Sequence, residues 1–207
     1  IDNKNKKFKT SFYYSFNYKK DRNYDRIIFI LNKRQKLIYN DVRKFGFIKI
    51  HNLNLIKNSQ HLIHLGPEPL KKNWNFSYLK KYIIGRERTI KSILMDQKCV
   101  SGLGNIYVNE ILFLSGIKPA RKAVKLKDFE IEKIIKFSKK ILKNAIKLGG
   151  STIKDFSSEN GKKGVFQQHF KVYGRGNQNC SNVDCNLKII RTLISNRATF
   201  FCKKCQK

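Results

Sequence analysis

Four cysteines near the end of the chain constrain its fold more than any other feature. They stand as Cys180-x4-Cys185-x16-Cys202-x2-Cys205, two close pairs separated by a stretch long enough for a hairpin. Four thiolates in that pattern can surround one zinc ion tetrahedrally, with Zn–S bonds of about 2.3 Å. Residues 188–191 then run out, 198–201 run back, and Ser195-Asn196 lie near the tip. A module this small has almost no apolar core, so metal binding supplies its folding free energy. Two disulfides or free thiols are the alternative. Clustering at one end of the chain favours the metal site, and with it a reducing, cytosolic compartment. Cys99, within residues 95–100, reads as a small buried side chain.

Charge narrows the partners. The chain has 45 Lys+Arg against 14 Asp+Glu, a formal net charge of +31 over 207 residues. Such a surface attracts polyanions, nucleic acid first among them. A composition inflated in Lys, Asn and Ile by an AT-rich genome, or an acidic membrane surface, would account for the charge alone. Apolar residues make up 41%, a globular proportion. No apolar run approaches the ~20 residues of a membrane span, and no signal peptide is visible. The expectation is a cytoplasmic, nucleoid-associated monomer with no membrane partner.

The pattern along the chain is α+β. Residues 1–66 read as β structure: 8–18 is aromatic-rich, 26–31 and 35–40 flank a polar turn at 32–34, and 45–51 alternates again. The prolyl-marked 65–70 (LGPEPL) ends this domain. Helical periodicity follows over 76–84, 89–97, 105–115 and 128–148, with Asp128 as a cap for the last. Ile131, Ile134, Ile135, Ile141, Leu142, Ala145 and Ile146 form that helix's apolar stripe. The domains are therefore 1–66, a 67–75 linker, 76–174 and 175–207.

Other motifs carry possible chemistry. Gly102-Leu103-Gly104-Asn105 lies between two helices; it is a tight double turn, and Asn105 as a helix cap would leave free N–H groups for a phosphate. A plain helix–helix turn explains it equally. In Asp41-Val42-Arg43-Lys44-Phe45-Gly46 an exposed Phe beside two cations could enter a base stack; a core-facing Phe is the alternative. Arg197 lies at the hairpin end opposite the metal, where a cation could reach a DNA groove, and Arg191 on the outgoing strand could meet a phosphate. Solvated surface arginines fit the spacing as well. Residues 166–175 offer Tyr173 and Arg175 as phosphate donors, on a pattern that otherwise suggests a strand.

Taken together these runs resemble the formamidopyrimidine-DNA glycosylases. The matching segments are 41–46 (DVRKFG), 65–70 (LGPEPL), 90–120 (IKSILMDQKCVSGLGNIYVNEILFLSGIKPA), 149–156 (GGSTIKDF), 165–175 (VFQQHFKVYGR) and 197–207 (RATFFCKKCQK), in the family's order. Endonuclease VIII-like glycosylases share the architecture, but LGPEPL, GLGNIYVNE and RATFFCKKCQ look more like the formamidopyrimidine branch.

The resemblance implies an N-terminal β-sandwich, present here as a remnant, then a helix-two-turn-helix domain and a four-cysteine zinc finger. Damaged duplex DNA lies between the two parts. By motif, Asn105 and Arg197 grip the phosphates flanking the lesion, and Tyr173 and Arg191 match further phosphate contacts. Arg43 and Phe45, with Lys44 beside them, match the wedge that fills the gap left by a flipped nucleotide. Lys91 matches a helix lysine implicated in handling 8-oxoguanine. Lys162, in the loop 157–163, matches the segment that closes over an oxidised purine. Flipping costs a few kcal/mol, which wedge and phosphate contacts offset.

The implied activity is release of oxidised purines (8-oxoguanine, formamidopyrimidines) by a bifunctional glycosylase and AP lyase in base-excision repair. The family's nucleophile is an amino-terminal proline, with an adjacent glutamate as acid/base and an assisting lysine. None has a match in a chain that opens at Ile1, so the expectation is a fragment that binds DNA without catalysis. A non-catalytic zinc-finger DNA-binding protein and a ribosome-associated zinc protein are the other readings. Two departures stand out: the first cysteine pair is spaced x4 where the family has x2, and Val42 replaces a proline.

Overall fold

The computed structural model describes residues 22–32, 35–41, 43–151 and 165–207. The expected strand over 8–18, Val42, and the loop 157–163 with Lys162 lie outside them, as do residues 33–34 of the first turn.

The helices follow from apolar spacing and local caps. Helix α1 (Phe76–Ile83) starts where the Asn75 side chain accepts the Tyr78 N–H at 2.9 Å. Helix α2 (Ile90–Leu94) is capped by the Thr89 hydroxyl, which accepts from the Ser92 backbone. It ends at Leu94, with Met95 as C-cap, short of the expected Gln97, because the Asp96 carboxylate takes the Lys98 N–H and turns the chain. Helix α3 (Asn105–Ser115) closes at Gly116, in the left-handed region with φ 73°. Helix α4 (Asp128–Lys147) is the longest among the described residues.

Two expected caps are corrected. Gly104, not Asn105, is the N-cap of α3, because the Asn105 side chain is held elsewhere by a tertiary bond. Lys127, not Asp128, precedes α4; the Glu130 carboxylate reaches back to the Lys127 N–H at 2.8 Å, while Asp128 pairs with Lys80. One residue of the expected α4 stripe also fails, since Ile146 is 66% exposed. It lies about 100° round the helix from Ala145, outside the buried arc.

Helix α3 is central. One flank packs on α4, which in turn packs on α1. Trp74, Leu79, Ile93, Val108, Ile111, Leu112, Ile131 and Ile134 make this core, each essentially inaccessible to solvent. Burying one such side chain contributes about 1.5–3 kcal/mol. The Trp74 indole donates to Ser138 Oγ at 2.8 Å, which pins the connection before α1 to the middle of α4. That connection also meets the turn after α2: Gly66 N–H donates to Gln97 O at 2.8 Å. A Cβ at Gly66 would stand 2.4 Å from Cys99 O, so no larger residue fits. Cys99 is fully buried, and burial pushes its thiol up to about 12.

The strands among the described residues form two separate antiparallel hairpins. Strands β1 (Asp25–Asn32) and β2 (Gln35–Asn40) pair with Ile28 opposite Ile38 and Phe29 opposite Leu37. The alternating 45–51 stretch pairs with nothing among the described residues, and Phe47 and Ile50 are exposed. Alternation gives a strand only when a neighbouring backbone accepts its hydrogen bonds. Among the described residues the expected sandwich is thus one hairpin. Strands β3 (Ile190–Ile194) and β4 (Arg197–Phe201) flank a two-residue turn in which Ser195 and Asn196 have φ of 50° and 56°. The outgoing strand starts two residues later than the sequence suggests, Lys188 forming only an isolated bridge with Asn179.

Residues 166–175 are not a strand. Phe166–His169 form a 3-10 turn, after which the chain folds inward. The buried Glu110 carboxylate accepts the N–H groups of Lys171, Val172 and Tyr173 at 2.8–3.0 Å. Those donors are satisfied by a side chain instead of a ladder.

Candidate nucleic-acid interface

The four Sγ atoms of Cys180, Cys185, Cys202 and Cys205 lie within 4.8 Å of one another. Cys180 and Cys205 are 3.8 Å apart, and Cys185 and Cys202 3.5 Å. A tetrahedron with Zn–S of about 2.3 Å needs sulfur separations of about 3.8 Å, so the donor set fits a zinc ion, and the longer x4 loop does not disturb it. The Leu187 N–H aimed at Cys185 holds that thiol down to about 7, whereas burial pushes Cys180 up to about 12. Asn182 Nδ2 donates to Cys205 Sγ at 3.1 Å. Gln206 joins this end to the helices: it accepts the Cys202 N–H at 2.9 Å and donates to Ile117 O at 2.8 Å.

The hairpin meets the second flank of α3 along a buried polar seam. Asn105 Nδ2 donates to Ala198 O at 2.9 Å, and Asn109 Oδ1 accepts the Phe200 N–H at 2.7 Å. Lys91 is 1% exposed; its ammonium donates to Thr199 Oγ1 at 2.6 Å and Ala198 O at 3.1 Å. Burial, with a smaller push from the Arg197 charge, lowers Lys91 to about 8. Ser92 and Ser195 hydroxyls bond at 2.8 Å beside the tip. Arg197 opens β4 and is exposed. Three residues singled out separately in the sequence, Lys91, Asn105 and Arg197, thus gather around Ala198. Lys91 is an internal brace there.

Before α3, Gly102 takes φ 82°, and Gln97 clamps the double turn: its Oε1 accepts the Gly102 N–H at 2.7 Å and its Nε2 donates to Leu103 O at 3.0 Å. Tyr173 is half-buried, its ring edge-on to Phe200 at 5.2 Å. Arg175 binds its own turn through Lys171 O at 3.0 Å and Asn179 O at 3.1 Å. Arg191 is exposed on β3 opposite Phe200.

The 41–46 segment is set by one carboxylate. Asp41 accepts the N–H groups of Arg43 and Lys44 at 3.0 Å and of Gly46 at 2.9 Å, and the Tyr39 hydroxyl at 3.2 Å. The Gly46 bond does most to hold its carboxyl below the usual range. A Cβ on Gly46 would overlap the Tyr39 hydroxyl. Phe45 is 78% exposed, with the Arg43 guanidinium 5.0 Å from its ring centre. The core-facing alternative for Phe45 does not hold. Lys44 is exposed, with a left-handed φ of 58°. The sequence reading missed Gln97, Asn109, Glu110, Thr199 and Gln206. The available signal was a polar pair, Asn109-Glu110, inside an otherwise apolar helix.

Comparison with known proteins converges on one family. The formamidopyrimidine-DNA glycosylase H2TH domain matches residues 65–157. Formamidopyrimidine-DNA glycosylases of Rickettsia felis and Rickettsia canadensis are each 42% identical, over 89% and 92% of this chain and 66% and 68% of their own lengths. The chain therefore spans about two thirds of the curated relatives it matches. The crystal structure of the Thermus thermophilus MutM (Fpg) protein superposes with a TM-score of 0.80 at 31% identity, covering 90% of this chain and 70% of that one. The Lactococcus lactis Fpg in complex with DNA containing an abasic site gives 0.76 at 34% identity, covering 83% and 62%. The chain belongs to the formamidopyrimidine-DNA glycosylase family.

Proposed function

We propose that this stretch holds damaged duplex DNA for a base-excision repair glycosylase. The whole protein would release oxidised purines (8-oxoguanine and formamidopyrimidines) and cleave the resulting abasic site as an AP lyase. The carrying observation is the convergence of Asn105 and Arg197 at Ala198, where the glycine turn before α3 meets the hairpin tip. Asn105 and Arg197 are the proposed phosphate clamp, with Tyr173 and Arg191 as flanking contacts. Arg43 and Phe45 form the proposed wedge, with Lys44 on the adjacent backbone. Phe45 exposed beneath a guanidinium supports that reading. Lys162 belongs to it by sequence match alone.

Cys180, Cys185, Cys202 and Cys205 would hold one structural zinc ion, which supplies folding free energy and no reaction chemistry. Domain limits of 1–66, 76–174 and 175–207 around a 67–75 linker suit this division of labour. Among the matched motifs, those given a role in the reading bind or position DNA, and none matches the family's proline nucleophile. These 207 residues are therefore expected to bind an abasic duplex without covalent trapping under borohydride. For Arg197→Ala the expected result is at least tenfold weaker binding to an abasic duplex with zinc content unchanged. Unchanged affinity, or preference for structured RNA over the abasic duplex, sinks the assignment.

A further inference from the structure

Helix α4 carries a second basic face. Lys133, Lys136, Lys140, Lys143 and Lys147 are all exposed. At 100° per residue they fall within an arc of about 80°, roughly 21 Å long. The buried Ile131, Ile134, Ser138, Ile141 and Ala145 occupy the opposite side. From Lys133 to Lys147 the helix has no acidic residue. Its acids lie in the opening turns: Asp128 is held by Lys80 at 2.7 Å, Glu130 by Arg121 at 2.6 Å, and Glu132 borders the stripe. Among the described residues none of the five lysines forms an ion pair.

A solvated face laced with its own salt bridges would interleave both signs. Here 133/136, 136/140, 140/143 and 143/147 are like-charge neighbours that destabilise the helix. The helix dipole offsets this only in the last turn, where Lys147 alone stands. The stripe points away from α3, whose other flank carries β4 and Arg197. It is therefore separate from the clamp around Ala198.

We propose that the outer face of α4 is a second duplex-DNA surface, binding the backbone of another DNA segment while the hairpin side holds the first. Lysines are point charges suited to phosphate, and phosphate contacts carry no sequence information. A membrane is a poorer fit, because the apolar face of α4 is buried in the core, leaving only Phe129 and Ile146 as large exposed apolar side chains to embed. Single strands need aromatic platforms, and the stripe offers only Phe129, beneath Lys133 at 5.3 Å.

The test uses the full 207-residue chain, saturated with an immobilised abasic duplex, to which a labelled undamaged duplex is added. The expected result is recruitment of the second duplex, lost at least tenfold in K136Q/K140Q/K143Q/K147Q. The salt slope should fall by about 0.9 per phosphate contact removed. Affinity for the abasic duplex should change less than twofold in that variant, and Arg at the same four positions should retain recruitment. In Arg197→Ala the abasic duplex weakens and recruitment through α4 remains, which separates this surface from the clamp. Equal recruitment by the Gln variant, none by the unaltered chain, or preference of the stripe for duplex RNA or phosphatidylserine vesicles overturns the proposal.

Discussion

Helix α3 divides two regions held together by different physics. Against α4 it builds a mainly aliphatic core that also takes in Trp74, Phe166 and Cys99, almost all fully buried. Against the hairpin, the buried cluster is Phe113, Val172, Ile189, Phe200 and three of the cysteines. The first region folds by removing apolar surface from water. The second has too little such surface and depends on four sulfurs and a polar seam. The proposed clamp straddles the boundary between them: Asn105 belongs to the self-sufficient side and Arg197 to the dependent one. Its geometry is therefore as stable as the weaker partner.

Removing the metal should separate the two regions most completely. Chelation, or Cys202→Ser, should abolish stoichiometric zinc and unfold 176–206, because structural zinc is worth about 10–16 kcal/mol in small modules. Far-ultraviolet circular dichroism should keep its helical signal, while amides of β3 and β4 lose hydrogen-exchange protection. Abasic-duplex binding should fall at least a hundredfold. If the helices melt together with the hairpin, the two regions are one cooperative unit and the contrast is wrong.

A smaller change tests the seam. Asn109 accepts the buried Phe200 N–H and donates to Asn105 O at 2.6 Å. Asn109→Ala leaves that N–H unsatisfied, at a cost of about 1–3 kcal/mol. The expected result in urea denaturation is that loss with zinc content unchanged and the hairpin opening before the helices. A loss confined to the helical transition would place Asn109 in the core instead.

The helical side was the more legible in sequence. Its periodicity gave all four helices to within a few residues, and Asn105–Ser115 without error. Local patterns suffice there because helix hydrogen bonds are local. The cysteine spacing likewise located the sulfur cluster and the two-residue hairpin turn. What failed depended on tertiary partners. Asn105 looked like a cap but is held by Ala198 O, and 166–175 looked like a strand but is folded onto Glu110. The 45–51 alternation needed a neighbouring strand that the described residues do not supply. The seam itself was invisible, since nothing in the spacing of Lys91 and Thr199 declares a bond across 108 positions.

Lys91 offers the finest probe of the seam, because its ammonium is buried there against Thr199 and Ala198. Its folded value, near 8, lies below the 10.5 of an unconstrained lysine. Between those values the unfolded chain holds a proton that the folded chain releases. Stability from this group therefore rises as pH increases from about 8 toward 10.5, opposite to a lysine that gains an ion-pair partner. Lys91→Met keeps the length and removes the titration. Measured against it, the unaltered chain should gain on the order of 1 kcal/mol from pH 8 to pH 9, since one pKa unit is worth about 1.4 kcal/mol. Arg197 is the charged group facing Lys91. In an Arg197→Ala background the gain should begin at higher pH, because a like charge no longer opposes protonation. A stability difference between the unaltered chain and Lys91→Met that stays flat across this range would show the ammonium remaining charged throughout, and the seam would then be wet and weakly held.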